Sequence, residues 1–234
     1  GSIVGQIGFV LGLTGLITYL TLPRRFIFQH GAVLLGATVL LFLVAFDGMV
    51  TRTEGLILIT LYLIYVFVLL KGEKVPEQPA EPTVDGRFNP WLLLIVGLGA
   101  LIASSELTVS SVVNLATTFE VSEAVISVIV IGFGTSLPEL SISISAILKK
   151  KTHLSVGNII GSNILDTLLP IGIAAIIAPV FFERQFLLFD LPYVFLLTVV
   201  TLVFFVRIRG IQKFEAGIIL GRYLVYLRIK LLQL

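Results

Sequence analysis

The sequence predicts an all-α, polytopic membrane protein, and three observations carry that prediction. Of the 234 residues, 57% are hydrophobic and only 13% charged, against roughly 25% charged residues in a typical soluble domain. Mean hydropathy is +1.08. Apolar runs long enough for a bilayer crossing, which takes ~20 residues, recur along the chain, and the charged and turn-forming residues fall between them. The environment implied is a lipid bilayer. A net charge of +2 gives no reason to expect nucleic acid, and the absence of cysteine excludes disulfides, thiolate metal sites and thiol redox chemistry.

Eight segments can be drawn, at roughly 3–22, 28–46, 54–70, 90–116, 121–148, 154–178, 187–206 and 211–232. The fifth and sixth contain Gly and Pro and are expected to be broken or kinked. Residues 71–89, rich in Pro and Glu, read as a linker too short to fold alone. The chain therefore divides into 1–70, the linker 71–89, and 90–234. Arg24 and Arg25, Lys149 to Lys151, and Arg207, Arg209 and Lys213 occupy loops that share one side if every segment crosses. Basic loops face the cytoplasm, so that side and the linker are expected to be cytoplasmic, in the cell membrane of a prokaryote.

A weak internal repeat is visible. GSIVGQIGFVLG at 1–12 aligns without gaps onto GSNILDTLLPIG at 161–172, an offset of 160. Further on, Glu54 and Tyr62-Leu63-Ile64-Tyr65 echo Glu215 and Tyr223-Leu224-Val225-Tyr226 at an offset of 161. Repeats of this kind are usual in secondary transporters, whose ion sites form at the repeat interface. The later copy is preceded by two segments for which the earlier copy has no counterpart. The sequence accordingly reads as an incomplete record of a longer protein, or as a chain that needs a partner. If Gly1-Ser2 were a cloning scar, the first two matches would be accidental.

Two carboxylates sit inside apolar runs, where an ionisable group is costly and marks a functional site by default. Glu139 closes Gly134-Thr135-Ser136-Leu137-Pro138-Glu139, and Asp166 closes Gly157-Asn158-x-x-Gly161-Ser162-Asn163-x-x-Asp166. Pro138 has no N–H, so it leaves the Gly134 carbonyl unpaired, and Gly132 and Gly134 permit a local break. Ser136, Glu139 and Ser143 fall on one helical face. Asn158, Ser162 and Asp166 form a second stripe, and Pro170 frees the Asp166 carbonyl. Carboxylate, hydroxyl and carbonyl oxygens are hard ligands suited to calcium and sodium. Two carboxylates balance one calcium or two sodium ions. Left unpaired in a dry site, they take up protons instead. Elsewhere, Ser141 reads as bonded back to its own helix, Arg222 as part of an interhelical pair, and His30 and His153 as solvated loop-edge residues.

GTSLPEL followed by GN-x-x-GSN-x-x-D resembles the second signature repeat of the cation/calcium exchanger superfamily, most closely its prokaryotic sodium/calcium exchangers. The resemblance implies ten helices in two inverted halves, of which about eight are seen here, with broken helices at the centre. It implies a cation site of Glu139 as bridging ligand, Thr135 and Ser136 beside it, Ser162 and Asp166 from the next helix, and the carbonyl of Gly132. The sequence departs from the pattern at Gln6, where the first half more often has Asn, and at Ile3, where the motif has Asn. Gln6 is kept as a candidate ligand. The family's first GTS-x-PE motif is absent from the sequence.

The function expected is secondary antiport of calcium against sodium by alternating access, with calcium/proton antiport as the alternative and a non-transporting half-exchanger subunit as a third reading. No cofactor is expected, and no GxxxxGK[ST] occurs, so an ATP-driven pump is not indicated. An intramembrane serine hydrolase using Ser136 or Ser162 with His153 is the enzyme reading weighed against transport and placed last.

Overall fold

The computed structural model describes residues 2–72, 89–118, 134 and 136–232. Eight helices occur among them: α1 (Ser2–Ile17), α2 (Arg24–Val44), α3 (Arg52–Gly72), α4 (Pro90–Thr118), α5 (Leu137–Leu148), α6 (Thr152–Ile177), α7 (Phe186–Ile208) and α8 (Lys213–Leu232). Two short strands, β1 (Met49–Val50) and β2 (Val180–Phe181), pair antiparallel. The expected segments are therefore present as helices, with the first part of the fifth and most of the linker outside the described residues. Four helices (α2, α3, α6 and α7) are each long and apolar enough to cross a membrane by themselves. The outer face of α3, with Leu56, Leu63, Ile64, Phe67 and Leu70 exposed, is suited to contact with lipid.

Local chemistry explains most boundaries. Pro23 precedes α2, Pro90 opens α4, and Pro138 lies in the first turn of α5. Proline is tolerated there because the first N–H groups of a helix have no intrahelical partner. A capping box starts α3: the Thr51 N–H donates to Glu54 Oε2 at 2.8 Å while the Glu54 N–H reaches Thr51 Oγ1 at 3.5 Å. At the start of α8 the Gln212 N–H donates to Glu215 Oε2 at 3.0 Å. Glu215 thus serves its own helix end. Arg222 does join two helices, but through its backbone, whose carbonyl accepts the Tyr193 hydroxyl at 2.7 Å.

The two copies of the repeat interlock. α8 packs on α1, and α3 packs on α6. A Cβ on Gly12 would lie 3.0 Å from the Leu220 Cβ. One on Gly172 would meet Ile59 at 2.7 Å and the Gly55 carbonyl at 2.9 Å. Gly12 corresponds to Gly172 and Ile59 to Leu220, so these are the same contact made twice. The bridge between Leu20 and Ile211 is likewise the counterpart of Val50 with Val180. α2 joins the loop of the first bridge to the loop of the second. Its 21 residues span roughly 30 Å at ~1.5 Å per residue, so the equivalent bridges lie at opposite ends of the bundle. The repeat is inverted.

Two expectations are corrected. α6 runs unbroken from Thr152 to Ile177 with Pro170 inside it. Proline costs one internal hydrogen bond, and the close packing of Gly172 on α3 holds the helix through that point. At the corresponding place in the other copy, Gly5–Val10, the counterpart of 165–170, forms a π-helical turn, and a second π-helical turn, Phe186–Asp190, opens α7. His30 is not solvated. It is 7% exposed, stacks on Phe26 with ring centres 4.1 Å apart, and places Nδ1 3.0 Å from the Tyr65 hydroxyl.

Candidate cation site

α5 begins at the first motif. Ser136 takes the position before the first helical residue, Leu137, and Glu139 lies in the first turn. The partial positive charge of a helix N-terminus favours a carboxylate there. The helix thus begins at the motif, and the part of the fifth segment before it, 121–133, lies outside the described residues. Gly132 and Thr135 lie outside the described residues. Ser143, one turn beyond Glu139, is fully buried. From α6, Asn158 Nδ2 lies 3.5 Å from both the Glu139 carbonyl and Ser143 Oγ, so the two motifs meet. Ser141, by contrast, bonds back to the Leu137 carbonyl at 2.9 Å, as its sequence position predicts.

The second stripe meets α1. Asp166 Oδ2 accepts from Ser2 Oγ at 2.8 Å and from Gln6 Nε2 at 2.9 Å. The Ser162 hydroxyl reaches Gln6 Oε1 at 2.8 Å, with the Ile159 carbonyl as an alternative acceptor at 3.2 Å. Gln6 is fully buried and bridges both α6 residues. Under the repeat, Ser2 corresponds to Ser162 and Gln6 to Asp166. The Ser2–Asp166 bond and the Ser162–Gln6 bond are therefore one interaction made twice, in opposite directions across the pseudo-two-fold. Ser136 Oγ lies 3.5 Å from the Ser2 carbonyl and closes the cluster.

Ser2 is the contributor that sequence reasoning did not select. The signal was present, since the gapless alignment sets Ser2 on Ser162, but its place beside the chain end made it look accidental. Ile3, which replaces the motif's Asn, makes none of these bonds, whereas Asn163 is fully buried in α6.

Glu139 is the least satisfied member. Its Oε2 is buried and has no hydrogen-bond partner among the described residues. Among the described residues no group of three or more His, Cys, Asp or Glu side chains forms. A cation held here would be bound by two carboxylates supplemented by the neutral oxygens of Ser136, Ser162 and Gln6.

The chain is 35% identical over 190 residues to the putative antiporter CaxA of Alkalimonas amylolytica, covering 76% of this chain and 59% of that protein. It is 29% identical over 191 residues to the inner membrane protein YrbG of Escherichia coli, covering 76% and 58%. The chain thus spans about three fifths of the length of these relatives. A solved structure of the sodium-calcium exchanger NCX_Mj superposes with a TM-score of 0.78 at 24% identity, over 97% of this chain and 74% of that one. It shares the polytopic helical fold. The sodium/calcium exchanger protein family matches residues 1–71 and 89–232, the whole of both helical blocks and both motifs, and the chain belongs to that family.

Proposed function

We propose that this chain forms the greater part of a secondary-active cation antiporter that exchanges calcium for sodium by alternating access. The observation that carries the reading is the buried oxygen of Glu139, unpartnered among the described residues, beside an Asp166 carboxylate already oriented by Ser2 and Gln6. Two half-buried carboxylates with no ion pair to a basic side chain among the described residues favour a positive ligand, and the surrounding hydroxyl and amide oxygens suit a hard cation. Glu139, Asp166, Ser136, Ser162 and Gln6 are its proposed ligands, with Thr135 and the Gly132 carbonyl alongside. Proton coupling is the second reading. The Gln6 amide is neutral and donates to Asp166, so this layer carries one negative charge where an acidic pair would carry two. A half-exchanger subunit that binds without transporting is the third.

The hydrolase reading fits poorly. His153 and Ser162 lie on one continuous helix, nine residues apart and thus roughly 13 Å along its axis at ~1.5 Å per residue. The basic loops of Arg24, Lys149 to Lys151 and Arg207 are proposed to face the cytoplasm of a prokaryotic cell, and so is the 71–89 linker.

The test is calcium flux in vesicles holding the full-length protein. A sodium gradient at fixed pH should drive calcium in the opposite direction. Calcium movement that ignores sodium and follows a pH jump transfers the coupling to protons. Calcium binding without flux under either gradient leaves the subunit reading.

A further inference from the structure

α2 and α7 pack on each other, and at one end of the pair both carry exposed cations. Arg24 opens α2, and Arg207 stands in the last turn of α7. Arg24 Nη2 donates to the Val206 carbonyl at 3.4 Å, which brings it to the backbone beside Arg207. The loops beyond are fastened together as well. Leu20 and Ile211 exchange backbone bonds of 3.1 and 2.9 Å, and the Tyr19 hydroxyl donates to the Arg209 carbonyl at 3.2 Å. One turn deeper, Phe28 lies four residues after Arg24 and Val203 four before Arg207, so each shares a helical face with its arginine. Both are exposed. Between them the helices close, since a Cβ on Gly31 would lie 2.7 Å from the Leu202 side chain. The surface over this seam is therefore cationic at the end of the bundle and apolar one turn below. Among the described residues neither Arg24 nor Arg207 forms an ion pair.

The inverted repeat supplies an internal control, because the same two helices meet at the other end of the bundle with their roles exchanged. At the offset of 160, Arg24 corresponds to Arg184, Phe28 to Leu188, Val203 to Leu43 and Arg207 to Asp47. All four counterparts are exposed. The loops there are also joined, the Phe182 N–H donating to the Gly48 carbonyl at 2.8 Å. The apolar pair is thus present at both ends, as contact with acyl chains requires. The pair of cations is present at one end only, and at the other it is a cation and an anion.

We propose that the seam between α2 and α7 at the basic end binds one anionic phospholipid, with Arg24 and Arg207 on its headgroup phosphate and Phe28 and Val203 along the upper acyl chains. Arginine presents a planar fork of donors that matches phosphate oxygens. Arg24 uses one donor on the Val206 carbonyl and keeps the rest of its five N–H groups for the ligand. Basic pockets between membrane helices take acidic headgroups in this way. A small soluble anion would use the arginines but not the apolar pair beneath them, so the lipid is the occupant that uses the whole surface. It ties a helix of one half to a helix of the other at one end of the bundle. The site shares no residue with the proposed cation ligands and does not rest on which ions are exchanged.

The experiment titrates the full-length protein, stripped of lipid in neutral detergent, with phosphatidylglycerol or phosphatidylcholine, and counts bound lipid by native mass spectrometry. Preferential binding of phosphatidylglycerol is expected. Arg24→Gln and Arg207→Gln should each weaken it about fivefold, the scale for one basic residue at an anionic surface. Arg207→Asp, which copies the opposite end, should abolish the preference. The control is the double variant Lys149→Gln, Lys151→Gln, which removes two exposed cations from another loop at the same end and should change the affinity little. The rise in unfolding midpoint on adding phosphatidylglycerol is a second reading, present in wild type and absent in Arg207→Asp. Equal losses from the lysine and arginine pairs would reduce the effect to diffuse attraction and overturn the site. So would equal binding of the two lipids. Displacement of phosphatidylglycerol by inorganic phosphate alone would overturn the lipid as occupant.

Discussion

The half that carries Gln6 and the half that carries Asp166 share one plan and differ in how they handle polarity. In both, the last helix of one copy packs on the first helix of the other, through Gly12 against Leu220 and through Gly172 against Ile59 and Gly55. In both, a tyrosine of the last helix bonds a residue of the middle helix. Tyr65 meets His30 at 3.0 Å, and its counterpart Tyr226 donates to Asp190 at 2.8 Å. The second half then adds charge. Lys230 pairs with Asp190 at 2.7 Å, where the first half has Leu69. Asp166 stands where the first half has Gln6, and Asn163 where it has Ile3. The packing is symmetric because close helix contact tolerates only small residues at a few positions. The chemistry differs at the matched positions, where a carboxylate and an amide stand in the second half against an amide and an alkyl group in the first.

The largest effect that would break this comparison is loss of charge on the acidic side. Asp166→Asn should lower calcium transport about 100-fold or more, since removing one partner of a buried charge interaction costs roughly 3–5 kcal/mol. Gln6→Leu, which removes a neutral amide and its bonds to Asp166 and Ser162 but leaves the carboxylate in place, should cost roughly tenfold, at about 1 kcal/mol net for a typical hydrogen bond. Equal losses measured by tracer uptake would mean that the two halves contribute alike.

Gln6→Glu would make the halves alike in charge. It sets a second carboxylate where the amide now lies 2.9 Å from Asp166 Oδ2. The expected result is a protein less stable than wild type without calcium and more strongly stabilised by it, read as a calcium-dependent unfolding midpoint. A midpoint that responds to calcium as wild type does would remove the Gln6–Asp166 layer from the binding site.

The packing symmetry can be probed with Gly172→Ala and Gly12→Ala. The first brings a methyl group to 2.7 Å from the Ile59 side chain and 2.9 Å from a backbone oxygen, and the second to 3.0 Å from the Leu220 Cβ and 3.1 Å from its backbone nitrogen. Overpacking costs typically 1–3 kcal/mol, with Gly172→Ala the larger because its contacts are closer. The smallest effect is at the caps. Thr51→Ala should cost about 1 kcal/mol of stability. Gln212→Ala should cost little, since at Gln212 the capping bond uses the backbone N–H. Thermal unfolding of each pair measures both comparisons.

Much of this was legible in the chain. Apolar runs gave the helices because a bilayer requires internal hydrogen bonding over a fixed length, and the gapless match of 1–12 with 161–172 set Ser2 on Ser162 and Gln6 on Asp166. Glu139 and Asp166 stood out because charge is rare at that depth. What was not legible depends on neighbours. Pro170 predicted a broken or kinked helix, yet α6 continues through it, while its counterpart Gly5–Val10 winds as a π-helix. His30 read as solvated, yet Phe26 and Tyr65 enclose it. Arg222 read as part of an interhelical pair, and the bond it makes between helices runs through its carbonyl.

The sequence by itself determined that the protein is a helical membrane protein with an internal repeat and two acidic motifs, because periodicity, length and the cost of buried charge are local properties of the chain. Only the tertiary structure decided that Ser2 and Gln6 close on Asp166, that Ser162 closes on Gln6, and that one oxygen of Glu139 is left without a partner among the described residues. Those facts depend on two segments 160 residues apart in the chain meeting across a pseudo-two-fold axis, and no local pattern encodes which hydrogen bonds form when they meet.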